Sequence, residues 1–412
     1  MSDRYLVISS DCHAGLRPEA YRDYLDPQYR EAFDAALPIQ AAAMEESGKR
    51  FLVDDINEQW RSGNENLLHG AWDHDARLRV LDGDGIAGEI IFPDGITEMN
   101  SPPFGASLGL PTEGVDPEMQ WAGARAHNRW LSELVSMAPD RHFGVAVIPC
   151  LWDDMDTTLK EVRSARKNGL GGILLPNAWG KRLAYHHSFY EPLWELCADL
   201  GVIIHFHSGA APTEDYFGPM PPKPGQEIPA GAVGVYICEV PFYNVRPVTF
   251  MLWGGVFTRH PKLKVAITEG TTIWAPEYVA LLEQRYEEAH YSQKLGDFRS
   301  HLKGKSPAQA FRENVFLGAS CMPRREAEMR DAIGLSQLMW GSDYPHPEGS
   351  WPFTRDQMHA TFQGLPEDDV AAMLGGNATE FYGFDAEKLA PLVAKIGPEK
   401  SWLQGPGPQP SA

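Results

Sequence analysis

Apolar residues along this chain come in short unbroken runs, each closed by glycine, proline or a polar cluster. The runs at residues 5–8, 86–92, 144–148, 172–175, 202–206, 263–268, 315–317 and 338–340 lack the polar alternation of a half-wet sheet. Continuous apolarity bounded by Gly or Pro is what strands covered on both faces of a parallel sheet require. Between most of them apolar positions recur at helical spacing, over residues 18–47, 74–81, 116–137, 155–168, 189–200, 245–258, 275–291, 306–312 and 324–333. A further helix covers 366–374, and Asn377 with Glu380 three residues on has the form of a capping box. Eight strands alternating with helices predict an α/β fold, a distorted (β/α)8 TIM barrel with long loop insertions on its C-terminal face. An open doubly wound sheet is the second choice. The insertions are residues 94–115 and 208–242, both rich in Gly and Pro. Residues 1–395 read as one barrel domain and 396–412 as a Pro/Gly-rich tail.

Composition narrows the partners. The chain has 412 residues and a net charge of -20, which argues against a nucleic-acid or anionic-membrane surface and reads as solubility. The five cysteines (12, 150, 197, 238 and 321) are scattered, odd in number and never spaced CxxC, which suits a reducing cytosol. There is no signal-peptide pattern and no apolar run that could span a bilayer. The expectation is a cytoplasmic protein acting on a small molecule.

Polar residues gather where the strands end. Strand 1 leads to Asp11 and His13, strand 5 to His205 and His207, strand 6 to Glu269, and strand 8 to Asp343 with His346 just beyond. In a parallel barrel these ends converge on one mouth. Period two puts Asp11 and His13 on one side of their strand. Imidazoles and carboxylates without thiolates suit one borderline divalent ion, with Zn2+ favoured and Mn2+ or Fe2+ also fitting. Asp11, His13, His207 and Asp343 supply four ligands.

Each residue has a blander reading. Asp-x-His after a strand is usually a turn with a helix cap. His205 reads better as a core histidine one layer below the mouth. Asp343 alone could be an N-cap. The joint pattern is stronger than any piece. Two other motifs fall away. Gly83-Asp84-Gly85-Ile86-Ala87-Gly88 matches G-x-G-x-x-G but precedes a strand, and Gly304-Lys305-Ser306 lacks the earlier glycine of a phosphate loop. No Gly-x-Ser-x-Gly elbow occurs.

These residues resemble the amidohydrolase superfamily, in the branch named for aminocarboxymuconate-semialdehyde decarboxylase. The matching pieces are Asp11-Cys12-His13, the stretch from Arg77 to Ile86, His127-Asn128-Arg129-Trp130-Leu131 and Pro139-Asp140-Arg141. They continue with Asn168-Gly169-Leu170-Gly171-Gly172-Ile173, His205-Phe206-His207-Ser208-Gly209, His260-Pro261-Lys262-Leu263-Lys264-Val265 and the stretch from Gly341 to His346. The resemblance implies a distorted barrel with one divalent metal on Asp11, His13, His207 and Asp343, and a homodimer. It implies a decarboxylase, hydrolase or hydratase. Two departures stand out. The first motif often reads His-x-His or Glu-x-His and is Asp-Cys-His here. Many members carry a histidine after strand 6, where this chain has Glu269.

Three functions follow in order. The first is a metal-dependent hydrolase using metal-activated water, with Asp343 or Glu269 as general base, on a small cyclic or aromatic compound. The second is a non-oxidative decarboxylase of a carboxylated aromatic or muconate-like acid, with a protonated acid or His346 delivering the proton. The third is a degenerate barrel that only binds. Arg246 and Arg182 are candidate carboxylate anchors, although a surface or structural role is the better reading of both. Phe242 and Trp351, with Phe104, Tyr216, Phe217, Tyr236, Tyr243 and Phe353, point to a ring-bearing ligand; ordinary loop packing and a dimer contact are the alternatives.

Overall fold

The computed structural model describes residues 3–51, 61–65, 67–94, 100–106, 116–149, 154–177, 182–209, 213–218, 227–292 and 294–405. Eight strands form one sheet in sequence order: β1 (Ile8–His13), β2 (Gly88–Phe92), β3 (His142–Val147), β4 (Gly172–Leu174), β5 (Ile203–His207), β6 (Val265–Thr268), β7 (Val315–Ser320) and β8 (Leu338–Gly341). Every neighbouring pair from β1–β2 to β7–β8 is parallel. The sheet closes where β8 returns to β1. The N–H of Asp343 donates to the Asp11 carbonyl at 2.8 Å, and that of His13 to the Tyr344 carbonyl at 2.7 Å. The Ser9 hydroxyl accepts from the Ser342 N–H at 2.9 Å across the same seam. This is the (β/α)8 barrel that the alternation predicts.

One cluster draws a residue from almost every strand: Ile8, Ile90, Phe92, Val145, Leu174, Ile203, Ala266 and Met339, with Phe316 packed against it. Only the barrel interior lies in reach of all of them. Phe381 and Tyr382 of helix Asn377–Tyr382 complete the cluster as a plug. His205 stacks on Tyr382 with ring centroids 5.8 Å apart and contacts Phe92, so it is a core histidine as expected.

Several boundaries differ from the pattern, each for a physical reason. β1 begins later and runs further than residues 5–8, so Asp11 and His13 lie within the strand. Apolarity located the buried end and missed the polar end, because the mouth wants polar side chains on a continuing strand. The β1–β2 register slips between Ser9 and Cys12, an irregularity of the kind that re-aims side chains beside active sites. The helix expected over 18–47 opens as two 3-10 turns, Pro18–Tyr24 and Pro27–Tyr29, before Arg30–Phe51; the prolines each start a new turn.

The 208–242 insertion holds two helices, Thr213–Phe217 and Ala232–Tyr243, rather than loop alone. Much of the 94–115 insertion, and Cys150, fall outside the described residues. Asn377 is no helix cap. It sits inside a helical run continuous from Glu367, and its amide donates to the Leu335 and Leu338 carbonyls at 2.7 Å each. Gly375 in that run lets the backbone meet β1's approach, since a Cβ there would stand 2.3 Å from the Leu6 carbonyl oxygen. Residues from the expected tail form helix Lys400–Gln404, with Leu403 buried and Glu399 paired to Arg4 at 2.7 Å. No helix among the described residues is long and apolar enough to cross a membrane.

Helix His74–Asp84 ends in a buried carboxyl. The Thr354 hydroxyl donates to Asp84 Oδ2 at 2.6 Å, yet burial pushes this carboxyl from 3.8 up to about 6. Between those values the folded state binds more protons than the unfolded chain, so stability falls as pH rises through that window. Above it the cost to the folded state is up to about 3 kcal/mol. Asp84→Asn keeps an oxygen for Thr354 and removes the charge. Denaturant titration should find it more stable than the parent at pH 7.5, with the gain shrinking towards pH 4. An equal gain at both pH values would defeat this account.

Candidate metal centre

β1 delivers two side chains to the mouth, Asp11 and His13, both wholly buried. β5 delivers His207. Its Nε2 lies 3.2 Å from Asp11 Oδ1, and its Nδ1 lies 3.0 Å from Glu269 Oε2. Asp343 follows β8, with Oδ1 3.4 Å from His13 Nε2 and 3.1 Å from His346 Nδ1. The His346 ring stacks on His13 with centroids 3.9 Å apart. The structure thus brings together all six predicted metal and catalytic residues: Asp11, His13, His207, Glu269, Asp343 and His346.

The lone pairs decide what this cluster can hold. His13 Nδ1 lies 2.9 Å from the Pro93 carbonyl, so that nitrogen carries the hydrogen. Burial and nearby His346 push the imidazole down to about 4, so it is neutral at pH 7. Its Nε2 then presents a lone pair to Asp11 Oδ1 and Asp343 Oδ1, both 3.4 Å away, and is buried without a hydrogen-bond partner. An imidazole lone pair and two carboxylates facing one point repel unless a cation stands between them. His207 repeats the theme: against burial, Asp11 and Glu269 hold its imidazole well above its ordinary value. Burial alone would raise Asp11, but His207 and His13 hold it well below the carboxylate range. Asp11, His13 and His207 offer ligand atoms within 4.8 Å of one another, as do His13, Asp343 and His346. The donor set of nitrogen and carboxylate oxygen, without thiolate, fits one divalent metal.

Three further residues shape the site and were not singled out from the sequence. Ser320, at the end of β7, donates its hydroxyl to Asp11 Oδ2. Asn177, beyond β4, donates to the His207 carbonyl. Asn244 donates to the carbonyls of Thr268 and Glu269 at 3.1 Å each. Apolarity ended strand 7 at residue 317, which hid Ser320. A polar residue just past each apolar run was the available signal.

Glu269, Cys321 and Asp343, each near the end of a consecutive strand, have φ of 55°, 47° and 60°. Left-handed backbone at non-glycine residues costs about 1–3 kcal/mol and gathers at functional sites. Glu269 remains 23% exposed at the rim, and His207 beside it, against burial, holds its carboxyl below the ordinary range.

The candidate substrate contacts divide. Phe242 is exposed on helix Ala232–Tyr243, and Arg246 is exposed on helix Val245–Trp253, which begins just past Asn244. Trp351 does not face the mouth. It is buried in a side cluster with Cys12, Leu68 and Val80, its ring 5.6 Å from Tyr344, where an apolar ring finds packing behind β1. Tyr216, Phe217, Tyr236 and Tyr243 pack on one another within the insertion, as loop aromatics commonly do.

The amidohydrolase family model matches residues 11–384. A 2-amino-3-carboxymuconate-6-semialdehyde decarboxylase of Dictyostelium discoideum is 24% identical over 321 residues, 77% of this chain and 78% of that protein. Among solved structures, 5-carboxyvanillate decarboxylase from Sphingomonas paucimobilis superposes with a TM-score of 0.59 at 17% identity, covering 92% of this chain and 100% of the other. A dihydroxybenzoic acid decarboxylase from Polaromonas, with bound manganese and the inhibitor 2-nitroresorcinol, gives 0.58 at 17% identity, covering 92% and 97%.

Loading with a divalent ion should raise the melting temperature and chelation should lower it. An ion at a hundredfold its Kd stabilises by about 2.7 kcal/mol. His13→Ala and Asp343→Asn should each abolish the metal-dependent shift in calorimetry. A shift that survives both substitutions would put the ion elsewhere.

Proposed function

Because the chain belongs to the amidohydrolase family, we propose that it is a divalent-metal-dependent carboxy-lyase. It removes the carboxylate of a small aromatic or muconate-like acid without oxidation. The family makes it an enzyme, a hydrolase or a carboxy-lyase, and the sequence alone leans towards hydrolysis. One arrangement favours decarboxylation: His346 Nδ1 lies 3.1 Å from Asp343 Oδ1 beside the candidate ligands, which places an imidazole where a proton donor would act. Burial pushes the Asp343 carboxyl up. Asp343, against the opposing effect of burial, pushes the His346 imidazole up to about 10. A hydrolase needs a base poised to take a proton from water, whereas decarboxylation needs a donor. The named activities of the relatives, on carboxymuconate, carboxyvanillate and dihydroxybenzoate compounds, support the same direction.

Asp11, His13, His207 and Asp343 would hold the ion. When bound, it supplies the positive charge that anchors the substrate's carboxylate and a neighbouring oxygen. Manganese is the first ion to test, on the strength of the manganese-bearing neighbours, with zinc second. The chain's own residues do the rest. His346, stacked on His13 and paired with Asp343, delivers a proton to the carbon that bears the carboxylate. The C–C bond then breaks, its electron pair stays with the substrate carbon skeleton, and CO2 leaves. Water returns a proton to the pair. Glu269, with Oε2 3.0 Å from His207 Nδ1, would accept that nitrogen's hydrogen and leave the His207 Nε2 lone pair for the ion. Arg246, exposed on helix Val245–Trp253 with its guanidinium 5.5 Å from the Phe250 ring centroid, is the candidate anchor for a second anionic group on the substrate.

Metal-loaded protein given a panel of carboxylated aromatic and muconate acids should release CO2 with no net addition of water. His346→Gln should lower kcat about 10²–10⁴-fold with a smaller change in KM. Arg246→Ala should act mainly on KM. A hydrolysed product without CO2 would return the site to water chemistry, with Glu269 as base.

A further inference from the structure

Arg77, on helix His74–Asp84, is a fully buried cation that the chemistry above does not use. Its Nε and Nη2 donate to the two oxygens of Glu89 at 2.6 and 2.8 Å. Against burial, Arg77 and His142 hold the Glu89 carboxyl well below the carboxylate range, so the pair is charged. Salt-bridge formation alone would leave Nη1 idle. Instead Nη1 donates to the His13 carbonyl at 2.8 Å and to the Gly70 carbonyl at 3.0 Å. The guanidinium also lies 5.6 Å from the centroid of the Tyr344 ring. Gly70 is required for that approach, since a Cβ there would fall 2.2 Å from the Tyr344 hydroxyl.

These contacts meet at the barrel seam. His13 is the last residue of β1, and its N–H is taken by the Tyr344 carbonyl at 2.7 Å. Its carbonyl, at the strand end, is taken by Arg77. Tyr344, next in sequence to Asp343, lies under the guanidinium. One rigid fork therefore touches the backbone of one candidate ligand and the neighbour of another. Lysine could not do this. It is a point donor and cannot serve Glu89 and two carbonyls in one plane.

We propose that Arg77 is a positioning residue for the metal centre, holding the His13 carbonyl so that His13 Nε2 and Asp343 Oδ1 stand 3.4 Å apart. This rests on reading the centre as a metal site, and the test separates the two.

The variants are Arg77→Lys and the double change Arg77→Met with Glu89→Met. The double change removes the ion pair whole and strands no buried charge, so it serves if the lysine variant does not fold. Calorimetric titration with Mn2+, well below the melting temperature, should show affinity reduced about 10- to 100-fold. Crystal structures of the metal-free variants should show the His13–Asp343 separation widened. Tyr344→Phe, which loses only the hydroxyl's bond to the Leu67 carbonyl, should lower the melting temperature and keep parental Mn2+ affinity. An unchanged separation in a folded variant overturns the proposal. So does an equal loss of affinity in Tyr344→Phe, which would mark general loosening. If the parent protein binds neither Mn2+ nor Zn2+, the metal reading falls, and the separation still decides for or against Arg77.

Discussion

Everything at the mouth depends on repulsion held in place. Two carboxylates and an imidazole lone pair converge on one buried point, His13 Nε2 being 3.4 Å from both Asp11 and Asp343. No chain arrives at such an arrangement by packing alone, because each group would be better solvated apart. The barrel sustains it by fixing the backbones. Asp11 and Asp343 are tied to each other through main-chain hydrogen bonds at the seam, so their side chains cannot separate without opening the sheet. The left-handed conformations at Glu269 and Asp343 belong to the same economy: local strain is tolerated where the surrounding ladder over-determines the position.

The fold was legible because burial on both faces leaves a continuous apolar signature, and each of the eight apolar runs overlaps or abuts an observed strand. What the signature could not mark was where strands end. It measures the dry part of a strand, and the catalytic end of a barrel strand is its polar part. Thus apolarity alone starts β1 too early and stops β7 short of Ser320. Asp11, His13, His207, Glu269, Asp343 and His346 were still identifiable, because each follows an apolar run closely enough for barrel geometry to bring them together.

Other features lay beyond any local pattern. Trp351 looks like a loop aromatic and becomes part of a cluster around Cys12 and Tyr344 only through chain return. Asn377 has the spacing of a cap, yet a π-turn over Ala372–Gly376 carries the helix past it and frees its amide for β8. Asn177 and Asn244 act on main-chain carbonyls from distant loops. Such bonds depend on which backbone groups the ladder leaves unpaired, and that is settled only when the barrel closes.

Asn244 has a further consequence. It stands at the junction between the β5–β6 insertion and helix Val245–Trp253, and its single side chain grips the carbonyls on both sides of the bend that presents Glu269. One amide thus fixes the turn that carries Glu269 from outside the strand ladder, so the carboxylate beside His207 is held by a side chain that the barrel's own hydrogen bonds do not supply.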